Sequence, residues 1–238
     1  MPRTTPSPAI PAEALAFLDD LTANNTTAWF AEHKQRFESA VRQPLLLLAE
    51  ALAPAMAKLD PLLRLNPAAV VSRIRRDVRF SRDKSPFRST QWLAFKRRSS
   101  EWTGRPAFFM EFGPGMFRHG MGFYSAGTRT MAALRELALE RPDEYAKAMA
   151  RAQAAGYVLW GDEYKRPRVP QELAALPQCV QELHRRRNVC MMYTGEPGEA
   201  VGNPELAGRL ADGFAALAPL YGIWLAAVDR AAAGAPES

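Results

Sequence analysis

Three features of the sequence predict an α+β fold, with a mainly antiparallel central sheet of about five to six strands packed by N-terminal and C-terminal helices. Apolar residues recur at three- and four-residue steps from position 11 to about 59, and again from 128 onward. Between 70 and 124 the period falls to two. A tight Gly113-Pro114-Gly115 joins two of the alternating runs, as an antiparallel hairpin requires. Strands therefore cluster centrally between helical ends instead of alternating with helices.

The elements follow in order. Pro11 opens a first helix in which Leu15, Leu18 and Leu21 share a face, and Asn24-Asn25 ends it. Thr26 or Thr27 caps a second helix carrying Trp29, Phe30, His33, Phe37 and Val41. Pro44 is expected to stop that helix and start a third, Leu45 to Ala53, which Pro54 interrupts. From Val70 a strand is predicted, with Val70, Ser72, Ile74, Arg76, Val78 and Phe80 on an inner face and Arg73, Arg75, Asp77 and Arg79 on a charged one. Further strands are expected at Gln91 to Lys96, Ala107 to Phe112, Met116 to Tyr124, Tyr157 to Trp160 and Val189 to Tyr193. Helices are expected from Thr128 or Thr130 to before Pro142, from Asp143 to about Ala155, within Gln171 to Arg187, and from about Glu205 to Ala231.

A chain of 238 residues, 47% hydrophobic and 24% charged, has the composition of a globular protein. One domain spanning 10 to 231 is expected, with frayed ends at 1–9 and 232–238 and Lys165 to Arg168 as loop. Cys179 and Cys190 are too few for a disulfide framework and lack metal-ligand spacing, so a cytoplasmic protein with reduced thiols is expected. The N-terminus has no apolar targeting core, and the leucine run 45–48 is too short for a bilayer, so no membrane association is expected.

The net charge is +6, yet residues 72–98 alone hold ten Arg and Lys against Asp77 and Asp83, a balance of +8. The remainder sums to about −2, so the basic character belongs to one place. The 25 Arg against 6 Lys look as much like a compositional bias as a selected feature, so arrangement counts for more than number. Within this stretch Arg73, Arg76, Asp77, Arg79, Asp83, Lys84 and Arg88 form the candidate ligand site. Guanidinium forks give planar bidentate donors to phosphate or carboxylate, and Lys84 adds a mobile point charge. The bland alternative is an internal ion-pair network of Arg73, Asp77 and Asp83, reaching Glu32 or Glu38, and a solvated basic face comes third. On a regular strand Arg76 would lie on the apolar face, where an unpaired charge is very costly. His33 is expected to pack or cap, although helix 2 could carry His33 and Lys34 to the basic stretch. His119 and Tyr124 complete the candidate set: His119, with Glu111 across the hairpin, could do acid or base work beside the patch.

The signature Phe17-Leu18-x-x-Leu21-x-x-Asn24-Asn25, Trp29-Phe30, His33-Lys34, Arg42-x-Pro44, then Arg73-Ile74-x-Arg76-Asp77-x-Arg79-Phe80-Ser81-x-Asp83-Lys84-x-Pro86-Phe87, and Gly122-Phe123-Tyr124 before a helix with Arg135, resembles an uncharacterised family of bacterial and fungal proteins classed as a domain of unknown function. The resemblance covers about residues 15 to 225 and implies a single intracellular α+β domain. It carries no activity to transfer.

A second function class is a nucleic-acid-binding module, in which Arg97-Arg98 with Trp92, Phe95 and Trp102 extend the patch. It ranks below the small-molecule site because those aromatics fall at strand spacing and no recognition motif is present. A third is a structural or adaptor domain. The three histidines are too scattered for a metal site, and no cofactor is implied. No Walker loop, nucleophile elbow, Cys-x-x-Cys or dinucleotide fingerprint occurs, so no reaction is specified. An anionic, phosphate- or carboxylate-bearing small molecule bound at 73–88 is therefore the expected function, with enzymatic activity undetermined.

Overall fold

The structure, a computed structural model, describes residues 9–99, 102–165 and 171–234. The expected ends at 1–8 and 235–238 and the loop at 166–168 lie outside the described residues, as does the side chain of Trp102. The fold is α+β, with five strands in one antiparallel sheet: β1 (Gln91–Phe95), β2 (Ala107–Gly113), β3 (Met116–Gly122), β4 (Val158–Trp160) and β5 (Cys190–Gly195), in the order β1-β2-β3-β5-β4. β4 pairs with β5 through Val158↔Met192, Leu159↔Met191 and Trp160↔Cys190. β3 lies so close to β5 that a Cβ on Gly122 would stand 2.7 Å from Cα of Cys190, which is why glycine occupies that position.

The described residues pack as two compact units, the first within 1–95, 109–119 and 194–211 and the second within 96–108, 120–193 and 212–238. In the first, α1 (Glu13–Ala23) buries Phe17, Leu18 and Leu21, and α2 (Thr27–Phe37) buries Phe30 and Phe37. The backbone N–H of Trp29 donates to the Thr26 hydroxyl at 3.2 Å, the expected N-cap. The expected break at Pro44 is absent. A π turn, Glu38–Arg42, carries α2 directly into α3 (Gln43–Leu59), with Gln43 N–H donating to the Glu38 carbonyl five residues back. Proline lacks an N–H and crowds the carbonyl four residues earlier; widening the preceding turn accommodates both. Pro54 lies within α3 on its solvent face and ends nothing.

A short helix α4 (Pro67–Val70) follows, capped by the Asn66 side chain. The strand expected from Val70 to Phe80 does not form. Residues 71–88 are irregular, touched only by isolated antiparallel bridges Val71↔Leu93 and Arg75↔Phe87. The expected inner face dissolves along its length: Val70 is buried, Ile74 and Val78 half-buried, and Phe80 is 96% exposed.

In the second unit, α5 (Thr128–Glu140) and α6 (Pro142–Ala154) match the expected helices. Gly156 takes φ +87 just beyond α6, the left-handed stop expected of it. α7 (Gln178–Arg185) begins after Pro177, and α8 (Leu206–Ala233) runs slightly past its expected end at 231. Phe214 and Tyr221 of α8 meet the Phe108 ring at 5.4 and 4.8 Å, and Trp224 stacks on Phe123 at 5.6 Å.

Candidate functional site

Two aspartates explain why 71–88 is not a strand. The Asp77 carboxylate accepts from Arg79 N–H at 3.3 Å, and that of Asp83 accepts from Ser85 N–H at 2.9 Å. Side-chain acceptors that satisfy the backbone two residues on make local turns that compete with a ladder. The same carboxylates hold arginines. Asp77 binds Arg79 through Nε at 2.9 Å and Nη2 at 2.7 Å, and these bonds lower its pKa from 3.8 to about 2. Asp83 binds Arg76 Nη1, which holds its carboxyl well below the usual carboxylate range. Arg76 thus has the partner its partial burial demands. Lys84 Nζ donates to the Val78 carbonyl at 3.0 Å, and the Arg88 guanidinium lies 4.7 Å from the Trp92 ring centroid. Of the expected ligand residues, Arg76, Asp77, Arg79, Asp83 and Lys84 are brought together as a self-paired loop, the bland alternative in a different pairing. Glu32 and Glu38 are not in it; Glu38 pairs with Arg42 at 3.1 Å.

The loop is anchored at its base by Asn25, at the end of the α1–α2 turn. Its side-chain oxygen accepts from Phe87 N–H at 3.1 Å and its amide donates to the Phe87 carbonyl at 3.0 Å. The Phe87 ring, 1% exposed, stacks on Phe30 at 4.1 Å. Arg76 N–H donates to the Pro86 carbonyl and Arg88 N–H to the Ile74 carbonyl, both at 2.9 Å. The irregular segment that leads into the loop is thereby fixed along α2.

Between them opens a cleft of about 610 Å³. Phe30, Lys34 and Phe37 line it from α2, Glu38 and Arg42 from the π turn, Leu46 from α3, and residues 71–75 from the basic stretch. Of the expected residues Arg73 lies here. Arg75 joins it, its guanidinium 5.3 Å from the Phe87 ring centroid. Among the described residues neither the Lys34 nor the Arg73 side chain has an ion pair or hydrogen bond, and both residues are exposed. The expectation that α2 carries Lys34 to the basic stretch holds, whereas His33 stacks on Trp29 at 4.1 Å and donates to or accepts nothing from the cleft lining. Arg42 was missed. Its signal lay in the spacing 30, 34, 38, which continues to 42 only if the helix survives Pro44.

His119 and Tyr124 fall elsewhere. Glu111 is committed to Arg118, at 2.6 and 2.9 Å, and to the Thr90 hydroxyl at 2.8 Å. Neighbouring strand residues point to opposite faces, so His119 points away from Arg118 and the expected Glu111–His119 pair does not form. His119 lies instead by the Phe117 ring at 5.5 Å, 9% exposed, and burial with the Arg209 charge lowers its pKa from 6.5 to about 4. Tyr124 belongs to the second unit and is 77% exposed. Phe95 is fully buried, as expected of a core aromatic. Cys179 and Cys190 form no disulfide and are half-buried, and among the described residues no three His, Cys, Asp or Glu side chains are grouped to hold a metal.

The class defined here is an α+β protein with a basic cleft beside a self-paired Arg/Asp loop. The family model of the conserved hypothetical protein family DUF2461 matches residues 13–222, and the chain belongs to that family. Comparison with curated proteins finds no match. The family is one of unknown function, so membership brings no reaction with it.

Proposed function

We propose that the 610 Å³ cleft of the first unit binds an anionic small molecule, phosphate- or carboxylate-bearing, in the cytoplasm. The observation that carries this is the placing of two unpaired cations, Lys34 and Arg73, from two different elements in one concavity. Low-dielectric walls focus their field into the cleft, and Arg75 adds to it, while the charge of Arg42 is offset by Glu38. The paired residues Arg76, Asp77, Arg79, Asp83 and Lys84 act as the scaffold that holds Arg73 and Arg75 against α2. A nucleic-acid surface draws less support, because Phe95 is buried and Arg88 covers Trp92. The cytoplasmic setting rests on the cysteine content and composition of the sequence.

Thermal unfolding in inorganic phosphate, matched in ionic strength with sodium chloride, tests this. A saturable rise in Tm of several degrees is expected, since ligand at a hundredfold excess over its Kd stabilises by about 2.7 kcal/mol. The Lys34→Ala/Arg73→Ala variant should fold, because neither side chain has a partner to lose, and should show no rise. Equal responses of the two proteins, or no response in either, would overturn the proposal.

A further inference from the structure

We infer that the ligand of this cleft is a free organic anion with one charged head and an apolar body, bound body inward. The inference rests on the anion reading of the same cleft and adds to it from the arrangement of the lining. The four cations Lys34, Arg42, Arg73 and Arg75 are all exposed, whereas Phe30 and Phe37 are buried and Leu46, Val71 and Ile74 half-buried. Charge therefore rings the mouth and apolar surface forms the floor. A bare inorganic anion at the mouth would leave that floor against water, in a space with room for roughly twenty water molecules. The volume is that of an organic-ligand pocket, and its lining is divided evenly between apolar residues and polar ones, the charged ones at the mouth.

Glu38 limits the head to one. Its carboxylate lines the cleft beside Arg42, so a second anionic group on the ligand would meet a like charge after the first had met Lys34 and Arg73. The π turn places Glu38 and Arg42 in the lining together, a local irregularity of the kind that collects at binding sites.

Calorimetric titration of the full chain with acetate, butyrate, hexanoate and octanoate, and with inorganic phosphate against hexyl phosphate, reads this directly. Affinity is expected to rise about three- to fourfold per added methylene from butyrate upward, for either head. Lys34→Ala should lower every affinity by a similar factor. Leu46→Gln, which keeps volume and helix tendency, should lower octanoate binding by a larger factor than acetate binding. A flat series, with acetate and phosphate bound as tightly as octanoate, overturns the apolar body and leaves anion binding standing. Absence of binding by every member, or affinities unmoved in Lys34→Ala and Arg73→Ala, overturns both. Binding to phosphatidylglycerol vesicles with none to the free acids overturns the free ligand in favour of a membrane headgroup.

Discussion

His119 shows how one residue sets the pH response. Its folded pKa of about 4 lies below the ordinary 6.5, because burial and Arg209 disfavour the imidazolium more than Glu199 favours it. Between these values the unfolded chain binds the extra proton, so the contribution is complete above 6.5 and falls away as the pH drops toward 4. A loss on the order of 3 kcal/mol over that window is expected in denaturant titrations, at 1.36 kcal/mol per unit. His119→Gln should flatten it. Asp77 and Asp83 act in a separate window: their lowered pKa values give stability above about 3.8 that is lost only as pH falls through the folded values, near 2 for Asp77. Both are solvent-exposed, so their share is small. At this scale the sequence was half legible. That Arg76 needed a partner followed from its neighbours; that Asp83 supplies it depended on a turn the alternation of the stretch concealed.

Among elements, the long helices and the five strands were legible because long-period and period-two patterns survive tertiary packing, whereas the short α4 and the continuity through Pro44 were not. The basic stretch deceived for a physical reason. Its alternation of Val, Ile and Phe with Arg has strand periodicity, but Asp77 and Asp83 satisfy backbone N–H groups locally, and Asn25 supplies to Phe87 the two hydrogen bonds a neighbouring strand would. Nothing in sequence spacing joins position 25 to position 87. Asn25→Ala should therefore lower stability by about 2 kcal/mol, the penalty of leaving a part-buried donor and acceptor unmade. Amide exchange at Phe87 should quicken in the same variant. Asn25→Asp keeps the acceptor, loses the donor, and should show about half the effect.

For the whole molecule, the residues behind the local balance of +8 are divided between the two units. Lys96, Arg97 and Arg98 belong to the second unit; in the first, Arg76 and Arg79 are paired with Asp83 and Asp77, the two acids already counted in that balance. In the cleft lie Arg73 and Arg75 together with Lys34 and the Glu38-paired Arg42, a grouping that net charge alone would never single out. α8 is long and apolar enough by length and composition to cross a membrane. Phe214, Leu217 and Trp224 along it are fully buried.

The π turn has a consequence in terms of phase. It is an α-helix with one residue in excess, so it sets the rotation of α2 about its axis relative to α3, and one residue is worth about 100°. Deleting the exposed Ser39 should restore a plain α-helix and turn Phe30, Lys34 and Phe37 away from the floor and mouth of the cleft. Ser39→Ala should stay within about 0.5 kcal/mol of the parent. The deletion should lower the Tm and abolish the phosphate response together, because a single inserted residue keeps core and cleft in register.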